Sequence, residues 1–587
     1  MTLRRGVALV IALIVMPFFV FATALAVLYF AATRGPSVPE DATLVLRPAG
    51  ELADARPDGI FGPILGRESV TLRGFVESLR KAKRDPRVAA VVLRPSTLES
   101  PLWAKVQELR DAVVDFRGSG KPVVAYLEYG GDREYYLASA ASQVFLMPSS
   151  PLDLTGLASY EIFLRGALDK AGVFPDFLQI GPYKTAANQL TQRDFTPEHR
   201  EMMESLNRDL YEQLVRGIAE SRRKGVEDVR ALLDQGPFVA EAAHQAGLVD
   251  GLAYFDQLDD RVAALKSDSD EDTIDAAEYQ RTSPREAGIE PQSRVAVLYA
   301  TGIITSGRSL YDPVNGAVVG SDTIVEQIQR IREDDSIRAV ILRIDSPGGS
   351  SVASDVIWRE LMITRDARPS RPLIASMSDV AASGGYYIAM PAHAIVAEPG
   401  TLTGSIGIYG GKFVVDGTLD KLGVATGTIR SGRNADIYSP FAPFSPEQRT
   451  RLMGYLDSFY DGFIRKAAAS RKTTPERIDA IAQGRVWTGQ QARERGLVDA
   501  LGGLDAAVAL AKQRAGIPAD EDVELVVYPT RRNVFEALAE QFGSSGFNVW
   551  AQLISGAERR ALGMLSAPVR LFRPGEPLAL MPYVFVR

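Results

Sequence analysis

The chain reads as two tandem α/β domains, copies of one another, behind a single apolar N-terminal helix. Three observations carry this. Short apolar runs alternate with helical patterns along most of the chain, as in βαβ units whose sheets are covered on both faces. Three segments recur in the same order at a spacing of about 250 residues. Residues 6–33 form an uncharged, mostly apolar run, long enough to cross ~30 Å of hydrocarbon as a helix.

Arg4 and Arg5 precede that run. A secretory signal has an apolar core of roughly 7–15 residues, so a run nearly twice as long predicts a transmembrane anchor, kinked by Pro17 rather than broken. The arginines predict a cytoplasmic N-terminus, residues 1–5, with everything after Arg34 outside the cytoplasm. A signal peptide cleaved near Ala31–Thr33 is the alternative. A Pro/Gly linker (34–41) leads to the first α/β domain (42–266). The stretch 267–293 opens with Ser267-Asp-Ser-Asp-Glu-Asp272 and reads as an acidic linker. A second α/β domain (294–529) and a C-terminal tail (530–587) follow. The tail holds an amphipathic stretch, Val534–Phe542, and an apolar end, Leu578–Val586, to which the sequence assigns no use.

The duplication rests on matched words. Asp85-Pro-Arg-Val-Ala-Ala-Val-Val-Leu-Arg94 returns as Asp334-Asp-Ser-Ile-Arg-Ala-Val-Ile-Leu-Arg343 at an offset of 249. Glu134-Tyr-Tyr-Leu-Ala matches Gly385-Tyr-Tyr-Ile-Ala at 251, and Phe195-Thr-Pro-Glu-His-Arg200 matches Phe444-Ser-Pro-Glu-Gln-Arg449 at 249. Each of the last pair opens a long amphipathic helix with a basic end.

Composition excludes several functions. At 587 residues the chain exceeds one hydrophobic core. A net charge of −7 argues against nucleic acid as a partner. There is no cysteine, and the three histidines (His199, His244, His393) show no ligand spacing, so neither a metal nor another cofactor is expected.

Two small-residue turns could carry chemistry. In Ile337–Ser350 a buried strand runs into Asp345-Ser-Pro-Gly-Gly-Ser350, where glycines let backbone N–H groups face a ligand. In Met377–Tyr387, Ser383 lies between Ala381-Ala382 and Gly384-Gly385 at a helix start, as an exposed nucleophile would. A helix-capping serine reads equally well there. No histidine has an orienting carboxylate in view, so a Ser-His-Asp triad lacks support. Lys184, in Leu178-Gln-Ile-Gly-Pro-Tyr-Lys184, has apolar and small neighbours. A desolvated lysine can act as a base because burial favours its neutral form, while an ordinary exposed loop lysine is the plain alternative.

Together, Ser346-Pro-Gly-Gly-Ser350, Ala381-Ala-Ser-Gly-Gly-Tyr386, Leu402-Thr-Gly-Ser-Ile-Gly407, Tyr183-Lys-Thr-Ala186 and the duplication resemble the long, two-copy form of the signal peptide peptidase A family. These are relatives of the Clp-protease/crotonase fold. The resemblance runs from the anchor to about residue 515. It implies two crotonase/Clp-like domains, a serine/lysine dyad that cuts remnant signal peptides, and a bowl-shaped homotetramer on the bacterial inner membrane, with its catalytic domains on the periplasmic side. It makes Ser383 the nucleophile, Lys184 the general base and Ser405 the residue orienting that lysine. Gly349 and Gly384 become oxyanion donors, and Gly348 shapes their loop. In the first copy Ser383 corresponds to Asp132, and the glycine pair to Leu98 and Glu99 or nearby; in the second, Lys184 corresponds to Arg433. Arginine stays protonated and cannot serve as base. Each half keeps what the other lost, which predicts one composite site between domains. An alkaline optimum and apolar peptide substrates follow from this reading. A crotonase-like acyl-CoA enzyme and a non-catalytic envelope scaffold that binds apolar peptides are its rivals.

Overall fold

The structure is a computed structural model that describes residues 36–54, 70–100, 102–266, 272–312 and 316–529, with 571–573, 576–582 and 584–586 of the tail and the isolated Met16 and Thr23. All but two residues of the expected anchor, and the stretch Val534–Phe542, lie outside the described residues. Among the described residues no helix is long and apolar enough to cross a membrane.

Each half is built on a mostly parallel sheet. The first has the strand order Gly251–Leu252, Gln143–Leu146, Val123–Leu127, Val88–Leu93, Ala42–Leu46, Thr273–Asp275, all parallel. The second runs Val486–Thr488, Leu402–Gly404, Leu373–Ala382, Ile337–Ser346, Ser293–Thr301, Val523–Tyr528, with only its first pairing antiparallel. Parallel neighbours require crossovers, supplied by helices such as Leu72–Arg84 and Ala104–Arg117 in one half and Ser321–Glu333 and Ser351–Ala367 in the other. Strands covered on both faces read as unbroken small and apolar runs. All ten residues of Leu373–Ala382 are buried.

The repeat words become matching devices. The helices Pro197–Arg222 and Pro446–Arg471 each open on a hydroxyl cap followed by proline, Thr196 onto the His199 N–H and Ser445 onto the Gln448 N–H. Both end at a left-handed residue, Arg223 and Lys472. At the last helical residue Arg222 pairs with Asp250 and Arg471 with Asp499. Those carboxylates also accept the N–H groups of Val144 and Ile395, tying each long helix to a strand of its sheet.

The linker expected at 267–293 is partly built into the first domain. Thr273–Asp275 forms that sheet's edge strand, and Ala276–Tyr279 is a helical turn whose Tyr279 is buried. One apolar residue, Ile274, was too little pattern to announce a strand.

A third sheet joins the halves. Its order is Phe174–Ile180, Ile408–Val414, Leu578–Leu580, Gly348–Ser350, Ile303–Thr305, Gly316–Gly320, Leu310–Asp312. Phe174–Ile180 belongs to the first half, yet it pairs antiparallel along its whole length with Ile408–Val414 of the second. The chain leaving Ile180 is thereby delivered into the other domain.

Candidate active site

Ser383 stands where the buried strand Leu373–Ala382 meets the short helix Gly384–Ala389. Its backbone is strained, with φ 56° and ψ −111°, a region that residues with a side chain seldom adopt. Neighbours hold it there: its N–H donates to the Gly404 carbonyl at 2.8 Å, and its own carbonyl accepts the Tyr387 N–H at 2.8 Å.

Lys184 follows the delivered strand. The Tyr183 N–H donates to the Gln483 carbonyl at 3.0 Å, and the loop at Gly484 lies against the lysine backbone. A Cβ at Gly484 would stand within 2.5 Å of the Lys184 N, Cα and Cβ, so only glycine fits. The side chain then enters a pocket where Lys184, Ser383 and Ser405 are all fully buried. Lys184 Nζ lies 2.7 Å from Ser383 Oγ, 3.0 Å from Ser405 Oγ and 3.0 Å from the Ser405 carbonyl oxygen.

Burial holds the Lys184 ammonium well below its usual pKa. The three contacts suit the neutral amine. Its two N–H groups match the two Ser405 oxygens, and its lone pair is left for the Ser383 hydroxyl proton. Ser405 is itself at positive φ (49°), its N–H donating to the Arg485 carbonyl at 2.7 Å.

The glycine loop lies beside this pair. Gly348 has φ +100°, and a Cβ there would come 2.6 Å from the Gly384 nitrogen and 3.0 Å from the Ala382 oxygen. The Gly348 N–H donates to Ser346 Oγ at 3.1 Å. The structure therefore gathers Ser383, Lys184, Ser405, Gly348, Gly349 and Gly384 into one place, within a single chain. The histidines stand apart: His393 Nδ1 accepts the Leu373 N–H, His244 Nδ1 lies by the Val249 carbonyl, and His199 packs between Phe163 and Phe195.

Sequence reasoning missed what clamps the halves together. Arg343 is buried and pairs with Asp54 at 2.8 Å and Glu108 at 2.6 Å, both from the first half. Lys105 pairs with Asp345 at 2.7 Å, at the mouth of the glycine loop, and its N–H donates to Asp379 at 3.0 Å. Asp345 also accepts the Val380 N–H at 3.2 Å, tying the loop's strand to the strand that ends at Ser383. The one available signal was an arginine inside the apolar run Val340-Ile-Leu-Arg-Ile344.

Comparison with known proteins identifies the family. The chain is 36% identical over 502 residues to the chloroplastic serine protease SPPA of Arabidopsis thaliana, covering 84% of this chain and 72% of that one. It is 34% identical to Protease 4 of Salmonella typhi, over 78% of this chain and 74% of the relative. Among solved structures, a mutant of the 1510-N membrane-bound stomatin-specific protease aligns with 41% of this chain at 16% identity and a TM-score of 0.24, too low to bear on the argument. The model of peptidase family S49 matches twice, at residues 115–268 and 365–518, one match in each half. The acyl-CoA and scaffold readings give way before these matches: the chain belongs to peptidase family S49 and is a serine protease.

Proposed function

We propose that the protein is a membrane-anchored endopeptidase that hydrolyses apolar peptides, such as remnant signal peptides, with Ser383 as nucleophile and Lys184 as general base. The observation that carries this is the 2.7 Å contact between Lys184 Nζ and Ser383 Oγ in a pocket closed to solvent. Neutral Lys184 takes the Ser383 proton as Oγ attacks the scissile carbonyl. The Gly349 and Gly384 N–H groups hold the developing oxyanion, each worth about 2.7–4 kcal/mol. Protonated Lys184 then gives its proton to the leaving amine, and water releases the acyl group. Ser405 keeps the amine aimed at Ser383.

Apolar substrates fit the surroundings, since Ala187, Ile303 and Tyr409 form a buried apolar cluster between the lysine turn and the glycine loop. Anchoring rests on the uncharged run from Gly6 to Thr33. The test is hydrolysis of an apolar signal-peptide sequence and a charged peptide of equal length by the detergent-solubilised full chain. Cleavage of the apolar peptide alone, abolished in Ser383→Ala and in Lys184→Ala, is the expected result. Undiminished cleavage by Lys184→Ala overturns the base assignment. Recovery of the full chain in the membrane fraction, and its loss on deleting residues 1–33, tests the anchor.

A further inference from the structure

The two strands that carry the chemistry break step at the same place. Ile337–Ser346 leads into the glycine loop, and Leu373–Ala382 ends beside Ser383. They run in register until Ile344 faces Met377, and the next pair is Ser346 with Ala381. One residue, Asp345, thus lies opposite three, Ser378, Asp379 and Val380. Such a bulge bends the strand and re-aims the residues beyond it. Beyond this one come Gly348 and Gly349 on one strand, and Ser383 and Gly384 on the other.

The bulge is held from the first half. Lys105 Nζ sits 2.7 Å from the Asp345 carboxylate and 3.6 Å from that of Asp379, one on each strand. Without the ammonium between them the two carboxylates would repel each other. Burial works against the Lys105 charge, but Asp345, Asp379 and Asp54 hold it protonated, above the usual lysine range. Burial alone governs Lys184, from the same half, and acts in the opposite direction on its pKa.

The other members of the bulge are pinned as well. The Val380 N–H donates to Asp345 at 3.2 Å, and Arg343 donates to Ser378 Oγ at 3.1 Å. Asp379 accepts the Ser100 hydroxyl at 3.1 Å and the Lys105 N–H at 3.0 Å. That last contact caps the helix Ala104–Arg117, whose own cap residue, Trp103, makes no side-chain cap bond. Helix and bulge therefore hold each other in place. Ser346, the first residue past the bulge, accepts the Gly348 N–H on its hydroxyl at 3.1 Å. The set of the bulge passes by that bond into the glycine loop.

We propose that Lys105 is a positioning residue for the peptidase reaction: by bridging Asp345 and Asp379 it sets the bulge that aims the Gly349 and Gly384 N–H groups at the oxyanion. The inference rests on the peptidase reading above. Lys105 acts through the two strands and exchanges no proton with the substrate. The first half thus lends two lysines, one to take a proton and one to shape the place where negative charge develops.

The test is peptide hydrolysis by the full chain as parent and as Lys105→Met, with Arg343→Met as the comparison for a loosened domain contact and circular dichroism as the check on folding. Lys105→Met is expected to lose about a hundredfold in kcat with KM little changed, as a misplacement of about 1 Å does. A peptide aldehyde, whose adduct with Ser383 puts an oxyanion among the donors, should bind Lys105→Met more weakly by a similar factor. The matching peptide alcohol should bind it as it binds the parent. The pH at which kcat/KM reaches half its maximum should not move, because Lys184 is untouched. Should Lys105→Met fail to fold, Lys105→Met/Asp345→Asn, which leaves less uncompensated charge, carries the same readings. Unchanged kcat in the folded variant overturns the inference. So does equal weakening of aldehyde and alcohol with the half-maximal pH moved towards 10.5, the mark of a loosened contact that Arg343→Met should show. A parent that hydrolyses no peptide overturns the peptidase reading itself.

Discussion

Where the second half carries Ser383, the first half carries Asp132, and the surroundings differ as much as the residues do. The frames coincide: three residues beyond each position a buried tyrosine, Tyr135 or Tyr386, donates its hydroxyl to the carbonyl of Leu248 or Leu497. Yet Asp132 accepts the Thr155 and Gly156 N–H groups at 3.2 and 2.9 Å, and burial raises its carboxyl pKa to about 6. The N–H of Leu98, at or near the place that the glycine pair takes in the second half, is held by the Glu134 carboxylate at 2.5 Å, so that donor is already filled. Lys184 is wholly buried, while its counterpart Arg433 lies exposed in a loop. Arg343 locks the halves together, whereas Arg94 stacks on Phe255 near the surface. The frame survives duplication because it rests on many shared contacts. The chemistry survives only where nucleophile, base and free donors coincide, and here that takes one contribution from each half.

The sharpest way to break the comparison is to remove one contribution. Ser383→Ala should lower kcat/KM by about five to six orders of magnitude, as loss of a nucleophile does in comparable hydrolases. Lys184→Ala and Lys184→Arg should fall nearly as far, since arginine, the residue the other half holds, cannot give up its proton. Because the site forms within one chain, mixing Ser383→Ala with Lys184→Ala should restore no hydrolysis of an added peptide. Restoration would place the site between chains.

Arg343→Met removes one partner of a buried ion cluster and leaves Asp54 and Glu108 uncompensated. Such changes cost about 3–5 kcal/mol, read as a lower denaturant midpoint, and the peptidase activity should fall with the loosened domain contact. Gly348→Ala forces a Cβ toward the Gly384 nitrogen. Displacing an oxyanion donor should cost about a hundred- to a thousand-fold in kcat, with the fold intact by circular dichroism.

A smaller effect appears in stability. Folded Lys184 is depressed below 10.5 by burial, so between its folded pKa and 10.5 the unfolded chain binds one proton more than the folded chain. The parent must therefore lose stability as pH falls through that window, by about 1.4 kcal/mol per pH unit. Lys184→Met lacks this slope and should become progressively the more stable of the two, as denaturant titrations at several pH values would show. The smallest expected effect is none: Asp132→Ser should create no second reactive serine, because among the described residues no lysine acts on that position and Glu134 occupies the donor. A fluorophosphonate-labelled peptide containing residue 132 would contradict that.

Much of this was legible beforehand. Offsets between repeated words predicted both sheets and both 26-residue helices, because buried strands and hydroxyl-proline caps leave local patterns. The site residues were legible as short words of small residues around Ser383, Gly348 and Ser405, plus one lysine among apolar neighbours. What stayed hidden depends on contacts distant in sequence. The exchange of Phe174–Ile180 into the other half joins strands that have no local reason to pair. The apolar run around Arg343 marked that residue, but its partners Asp54 and Glu108 look in sequence like ordinary surface charges. The apolar tail end gave no hint that Ala579 faces Gly349, since strand pairing at that separation leaves no mark on either segment alone.

The most direct measurement is the rate at which a fluorophosphonate labels Ser383 across pH, in the parent and in Lys184→Ala. The predicted result is a single labelled serine, Ser383, whose rate in the parent rises with pH through one ionisation well below 10.5 and whose labelling is nearly lost in Lys184→Ala. Equal labelling in the two proteins, at every pH, would contradict the claim that one half lends the hydroxyl and the other the uncharged amine.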